Sequence, residues 1–179
     1  TVLYVRIINN SVPGRVEYIV KGYCSMSIEK VKAYFERIGE GGRILEFEAS
    51  TATVAQAAAA VGCEPGRIAK TMSFLVDGNP VLILYAGDVR VDNKKFKRTF
   101  HKKGRMIPVE EVEAYIGHEP GGVCPFAVKE GVPVYLDVSL KRYDTVYPAA
   151  GNGHSAVRTT PEELYILANA VDWVDTAKV

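Results

Sequence analysis

Little in this chain marks it as a cofactor enzyme. It has no GxGxxG following a strand, no GxxxxGK[ST] and no HExxH. Dinucleotide binding, P-loop phosphate binding and a helical zinc site therefore have no support in sequence. Cysteine is scarce: Cys24, Cys63 and Cys124 show no CxxC spacing. An odd, scattered count argues against a disulfide framework and fits a reducing, cytoplasmic compartment. The three histidines, His101, His118 and His154, lie far apart without ligand spacing, so no metal and no cofactor is expected. No apolar run approaches the ~20 residues that span a bilayer. The first residues lack the basic start, apolar stretch and small-residue cleavage site of a signal peptide, so no membrane contact is expected.

What is present is the composition of an ordinary folded domain. The 179 residues are 47% hydrophobic and 24% charged, enough for one domain with a sizeable core. The net charge of +1 hides an uneven distribution. Seven Lys and Arg residues fall between Lys94 and Arg105, with His101 among them and no acid. A concentrated basic stretch in a near-neutral chain suggests a local anionic partner, the alternative being a solvated helix face.

Residues 1–25 stand apart from 26–179 as an N-terminal extension. Two short strand-like runs, Val2–Ile8 and Val16–Val20, flank a turn-rich link from Asn9 to Gly14. They fit a hairpin added to the domain, or an upstream extension with Met26 at the domain start. A helix is predicted over Ser27–Ile38, with Ser27 as N-cap and Gly39 past its end. A strand over Arg43–Glu48 precedes an alanine-rich helix over Val54–Val61, capped by Thr51 or Thr53 and ended by Gly62. Ile68–Val76 and Val81–Tyr85 read as a hairpin around Asp77-Gly78-Asn79-Pro80. Asp92 caps the basic helix, and Pro108–Ile116 is a short acidic helix ended by Gly117. Strands are predicted over Val132–Val138, Tyr143–Tyr147 and Ser155–Arg158. Thr160-Pro161-Glu162-Glu163 opens the last helix, to about Asn169, as a capping box, and Val171–Val174 finishes the chain. Interspersed helices and hairpins point to a mixed α/β fold, not a doubly wound parallel sheet.

Within that pattern Lys70 is anomalous. Side chains alternate along a strand, so Ile68, Met72, Phe74 and Val76 share a face with Lys70. A lysine aimed at an apolar face is costly unless its ammonium finds a partner or a ligand. The loop Gly121-Gly122-Val123-Cys124-Pro125 is a second candidate. Adjacent glycines let backbone approach a ligand closely, and free N–H groups there can hold a carbonyl or phosphate oxygen. Cys124 invites a nucleophile reading with His118 or His154 as base. The expectation is instead that it packs as a small hydrophobe.

Three segments together resemble the YbaK/ProX family of trans-editing aminoacyl-tRNA deacylases, relatives of the editing domain inserted in bacterial prolyl-tRNA synthetases. They are Gly62-Cys63-Glu64-Pro65-Gly66-Arg67-Ile68-Ala69-Lys70-Thr71, the Gly121–Phe126 loop in the place of a GxxxP motif, and Asp144-Thr145-Val146-Tyr147-Pro148-Ala149-Ala150-Gly151. The resemblance spans Ser27 to Val174 and implies an editing domain over 26–179. The implied fold is a mixed, mostly antiparallel sheet flanked by helices, with a pocket for the aminoacyl-adenosine end of tRNA. The implied activity is hydrolysis of the ester on a mischarged tRNA, usually tRNA(Pro), alone or beside a prolyl-tRNA synthetase. Lys70 takes the place of the family's essential lysine, with Thr71 beside it, and Gly121 to Pro125 that of the loop holding the aminoacyl group. Phe47 and Thr53 fall near pocket-lining positions, and Gly151, Asn152 and His154 belong to the late glycine loop. The basic helix, through Lys94, Lys95, Lys97 and Arg98, becomes a candidate for the acceptor-stem backbone. Two departures bear on specificity: Cys124 stands where relatives acting on cysteinyl-tRNA(Pro) often carry Ser, and Ala156 where they can carry Asp.

Overall fold

The computed structural model describes residues 3–7, 18–22 and 26–179. In chain order the strands are β1 (Leu3–Ile7), β2 (Tyr18–Gly22), β3 (Ile44–Glu46), β4 (Ile68–Val76), β5 (Asn79–Ala86), β6 (Arg90–Val91), β7 (Gly104–Met106), β8 (Val134–Asp137), β9 (Tyr147–Pro148), β10 (Ser155–Val157), β11 (Asp172–Val174) and β12 (Ala177–Lys178). The α-helices are α1 (Met26–Arg37), α2 (Val54–Val61), α3 (Asn93–Phe100), α4 (Val112–Ile116) and α5 (Pro161–Leu167). Strands β1 and β2 pair antiparallel; the expected turn over Asn9–Gly14 lies outside the described residues, as does Cys24.

The central sheet runs β11-β8-β5-β4-β7. β4 is antiparallel to β5 over Ala69–Val76, while β8 is parallel to both β5 and β11. The sheet is therefore mixed, and antiparallel pairs outnumber parallel ones across the described sheets. Asp77 and Gly78, both at positive φ, close the β4–β5 hairpin. That two-residue turn suits the strand twist and lets Asn79 and Pro80 join the strand. β5 is buried from Val81 to Ala86, as a strand flanked on both edges and covered on both faces should be.

One edge of β4 is shared by two short strands. β9 pairs in parallel with Ile68 and Ala69, and β7 pairs antiparallel with Phe74 to Val76. Between them Lys70, Thr71 and Met72 have no ladder partner on that edge. The break opens the sheet where the lysine sits.

The helices end as their sequences dictate. Thr53 accepts the Gln56 N–H and Gly62 closes α2 in the left-handed region. Asp92 caps α3 through the N–H groups of Lys94 and Lys95, and Thr160 with Glu163 forms the capping box of α5. Two expectations are corrected. Ser27 does not cap α1, which starts one residue earlier; its buried hydroxyl instead accepts the Glu119 N–H at 3.1 Å. The strand expected over Tyr143–Tyr147 shrinks to β9, because a 3-10 turn over Val138–Arg142 precedes it and Tyr143 turns its hydroxyl to Asp88.

Candidate functional site

A cavity of about 240 Å³ lies at the break in the β4 edge. Its floor is the start of β4, with Ile68, Ala69, Lys70 and Thr71. Ile68 packs on Ala57 and Ala58 of α2, so α2 covers the face of β4 that Lys70 shares. The approach to α2 (Thr51, Ala52, Thr53) forms a second wall. It is pinned by the Thr51 N–H on the Gly153 carbonyl at 2.6 Å and the Phe47 N–H on the His154 carbonyl at 2.8 Å. Gly121 and Val123 form a third wall, and Tyr147, Ala149, Ser155 and Ala156 complete the lining. At this size the cavity encloses one end of a ligand, since sites for whole drug-sized molecules run to about 300–1,000 Å³.

Lys70 is half-buried, and its ammonium donates to two backbone carbonyls, those of Gly87 (3.2 Å) and Val89. Charge-assisted bonds of this kind contribute roughly 1.5–3 kcal/mol each, which offsets part of the cost of burial. Burial still dominates and lowers the lysine pKa from its ordinary value; Asp88 opposes that shift and Arg90 adds to it. An ammonium has three donors. Two are spent on the chain and one remains for a ligand.

The glycine loop is placed by backbone contact. The Gly122 N–H bonds the Glu119 carbonyl at 3.0 Å. A Cβ on Gly122 would lie 2.4 Å from the Gly151 oxygen, and one on Gly151 would lie 2.7 Å from the Ser27 oxygen. Three main-chain segments thus stack with no room for side chains: the loop, the late glycine turn and the first turn of α1. Among the described residues the amides of Gly121 and Val123 have no protein acceptor, which leaves donors on the cavity wall.

Of the residues singled out in sequence, Lys70, Thr71, Thr53, Gly121 and Val123 line the cavity together. Gly122 and Gly151 are buried behind the wall. Asn152 accepts the His154 N–H (2.9 Å) and the Ser155 hydroxyl (2.7 Å), which orders the late loop. His154 is exposed with Nδ1 3.2 Å from the Ala49 carbonyl, and Phe47 is half-buried away from the lining. Cys124 and Pro125 also face elsewhere. The Cys124 thiol is fully buried, 3.6 Å from the Phe126 carbonyl and 3.8 Å from His118 Nε2, and burial pushes it up to about 12. A thiol held protonated and sealed from the cavity is no nucleophile. His118 is buried too, holds the Phe126 carbonyl at 2.8 Å, and burial lowers its pKa.

The walls missed in sequence are small or apolar: Ala52, Ala57, Ala149 and Ala156 offer no chemical signal, and only the tertiary fold assembles them. Thr51, in sequence only a candidate cap for α2, also lines the cavity.

The basic helix lies along a separate surface. Asn93, Lys94, Lys97, Lys103 and Gly104 line a groove there. Arg98 is exposed and Lys95 is paired with Asp175 at 2.7 Å. Phe96 anchors the helix on Phe74 of β4.

Comparison with known proteins places the chain in a family. The model of the aminoacyl-tRNA editing domain matches residues 48–166. YwhH of Bacillus subtilis, whose function is uncharacterized, is 46% identical over 154 residues, covering 86% of this chain and 98% of that protein. EbsC of Enterococcus faecalis, provisionally named a Cys-tRNA(Pro)/Cys-tRNA(Cys) deacylase, is 32% identical over 116 residues, covering 63% of this chain and 70% of that one. A crystal structure provisionally described as a trans-editing enzyme for prolyl-tRNA synthetase superposes with a TM-score of 0.77 at 35% identity, covering 87% of this chain and 99% of that chain. The fold likeness and a family match spanning most of the chain agree: this protein belongs to the aminoacyl-tRNA editing domain family, of the YbaK/ProX kind.

Proposed function

We propose that this chain hydrolyses the ester between a wrong amino acid and tRNA, with tRNA(Pro) as the carrier. One observation carries the reading. Lys70, tied to two carbonyls with one N–H in reserve, lines the same cavity as the Gly121–Val123 loop. The aminoacyl group enters the cavity, and the carbonyl oxygen of the ester meets the reserved lysine N–H and the loop amides. Attack on the carbonyl carbon by water, oriented by the vicinal ribose hydroxyl, builds negative charge on that oxygen and supplies the proton for the leaving ribose oxygen; a substrate thiol attacking in its place gives up its own proton and forms a thiolactone that water then opens. Donors fixed in advance stabilise the charge, each contributing about 3 kcal/mol in well-built oxyanion sites. The bond to the ribose oxygen then breaks, and a proton returns to that oxygen. An ester is already an activated acyl group, so positioned donors and an oriented nucleophile suffice.

The anionic part of the substrate has a matching surface. Lys94, Lys97, Arg98 and Lys103 suit the acceptor-stem phosphates. Between them and the cavity, the register of β6 and β12 sets Arg90 opposite Lys178. Like charges directly opposed are destabilising, and a phosphodiester between them relieves the repulsion.

The test is deacylation across a panel of tRNA(Pro) charged with alanine, cysteine, serine or threonine. Turnover of at least one member above the spontaneous rate is expected. Salt-sensitive tRNA binding with no turnover of any would make the chain a binding module instead.

A further inference from the structure

Lys70 is held by a turn, and the turn is held in its own right. The two carbonyls that receive the ammonium belong to Gly87 and Val89, the residues on either side of Asp88. The Asp88 carboxylate accepts a two-pronged contact from the Arg142 guanidinium and a third bond, at 3.2 Å, from the Tyr143 hydroxyl. Arg142 in turn donates Nε to the Ser139 carbonyl at 2.9 Å, which ties it to the 3-10 turn following β8. The far side of the Gly87–Val89 turn rests on main chain, because a Cβ on Gly87 would lie 2.1 Å from the Pro65 oxygen. Gly66 leaves space for the cluster: a Cβ there would lie 1.8 Å from the Tyr143 hydroxyl oxygen and 3.1 Å from Asp88 Cγ.

We propose that Asp88, Arg142 and Tyr143 are positioning residues for Lys70: they lock the Gly87–Val89 turn in the one arrangement in which two carbonyls fix the ammonium and aim its third N–H into the cavity. The cluster is poorly suited to a role in stability. Both partners of the Asp88–Arg142 pair are more than one third exposed or close to it, and exposed pairs contribute little. What a bidentate guanidinium–carboxylate contact supplies is fixed geometry. The charge also bears on Lys70, since Asp88 favours its protonated form against burial and against Arg90. Further charged groups around the cluster are Asp137, which favours the charged form of Arg142, Glu64, and Arg67, the last with its guanidinium 5.7 Å from the Tyr143 ring centre.

The inference rests on the deacylase reading for its kinetic consequence but not for its structural one, and two readouts separate them. The first is an NMR titration of the Lys70 side chain in the full-length protein. Asp88→Asn keeps an acceptor for Arg142 and removes the charge, so the Lys70 pKa falls below that of the wild type. Arg142→Ala frees the turn and broadens the Lys70 side-chain signals, and Arg142→Lys restores them in part. The second is single-turnover deacylation. Arg142→Ala lowers the rate constant about tenfold, as expected for a sub-ångström misplacement, with substrate affinity unchanged. Asp88→Asn moves the alkaline limb of the pH profile downward. Melting temperatures of the variants stay close to the wild type. A Lys70 titration and line width indifferent to both substitutions would overturn the lock, whatever the protein hydrolyses. A perturbed Lys70 in a protein that deacylates nothing leaves the lock standing and removes the deacylase reading instead.

Discussion

Gly122→Ala should disable the site without unfolding the protein, and the structure fixes how. The new Cβ would sit 2.4 Å from the Gly151 oxygen, 2.8 Å from its carbonyl carbon and 3.1 Å from the Asn152 Cα. Restoring even a 3.0 Å contact requires the two loops to part by at least 0.6 Å. Gly151 has little room to retreat, because the backbone of Ser27 and Ile28 on the first turn of α1 is packed so near that a Cβ on Gly151 would lie 2.7 Å from the Ser27 oxygen. The movement therefore falls on the Gly121–Val123 segment, which carries the free amides of the cavity wall. Displacements approaching 1 Å cost up to about 10²-fold in rate when reacting groups are held in place, so the deacylation rate constant should fall by about ten- to a hundredfold. Crowding of this sort costs roughly 1–3 kcal/mol in stability, a decrease of about 2–4 °C in Tm per kcal/mol. Single-turnover deacylation and thermal melting measure both. Gly153→Ala is the control, since its Cβ meets Ala52 at an ordinary 3.5 Å. Full activity in Gly122→Ala, or an equal loss in Gly153→Ala, would refute the reasoning.

Cys124→Ala and Cys124→Ser should both keep activity, and a thiol reagent should label half-buried Cys63 in the folded protein but not Cys124; loss of turnover in both variants would restore the cysteine nucleophile. Charge reversal at Lys94 and Lys97 should weaken tRNA binding and reduce the slope of log affinity against log salt by about 0.7–0.9 per lost phosphate contact. Reversal at Lys95 should do less to tRNA binding, because Asp175 already holds that ammonium. Anisotropy titrations at several salt concentrations distinguish the two. Glu163 is held at about 2 by Arg43 and by the Thr160 N–H. A depressed carboxylate contributes stability above its unfolded pKa and loses it as pH falls toward the folded one, so acid should destabilise the wild type from about 4.5 down to about 2. Glu163→Gln should flatten that limb in denaturant melts taken across the range.

The parts of this fold legible in sequence are those governed by local chemistry. Thr53, Asp92 and the Thr160–Glu163 box cap the helices they were expected to cap, and Asp77-Gly78 turns the hairpin. Lys70 stood out because a strand with Ile68, Met72 and Phe74 has no ordinary use for a charge on their shared face. Its partners could not be read, since backbone carbonyls are present at every residue and only the fold chooses those of Gly87 and Val89. The same limit hid Asp88 and Arg142, which lie 54 residues apart, and the alanines of the cavity walls, whose role is to be small. Cys124 shows the converse. Its place within the loop motif made it a candidate for substrate contact, yet the loop turns it inward on the Phe126 carbonyl, where a small buried thiol packs.

The central claim is that the Lys70 ammonium, which lines one cavity with Gly121 and Val123, stabilises the ester as it breaks. Single-turnover hydrolysis of the best mischarged tRNA(Pro) by Lys70→Ala, beside the wild type, tests it most directly. The account predicts a loss of about 10²–10³ in rate constant, the scale of one lost oxyanion donor, with the melting temperature and tRNA affinity nearly retained. Wild-type turnover by Lys70→Ala would contradict it.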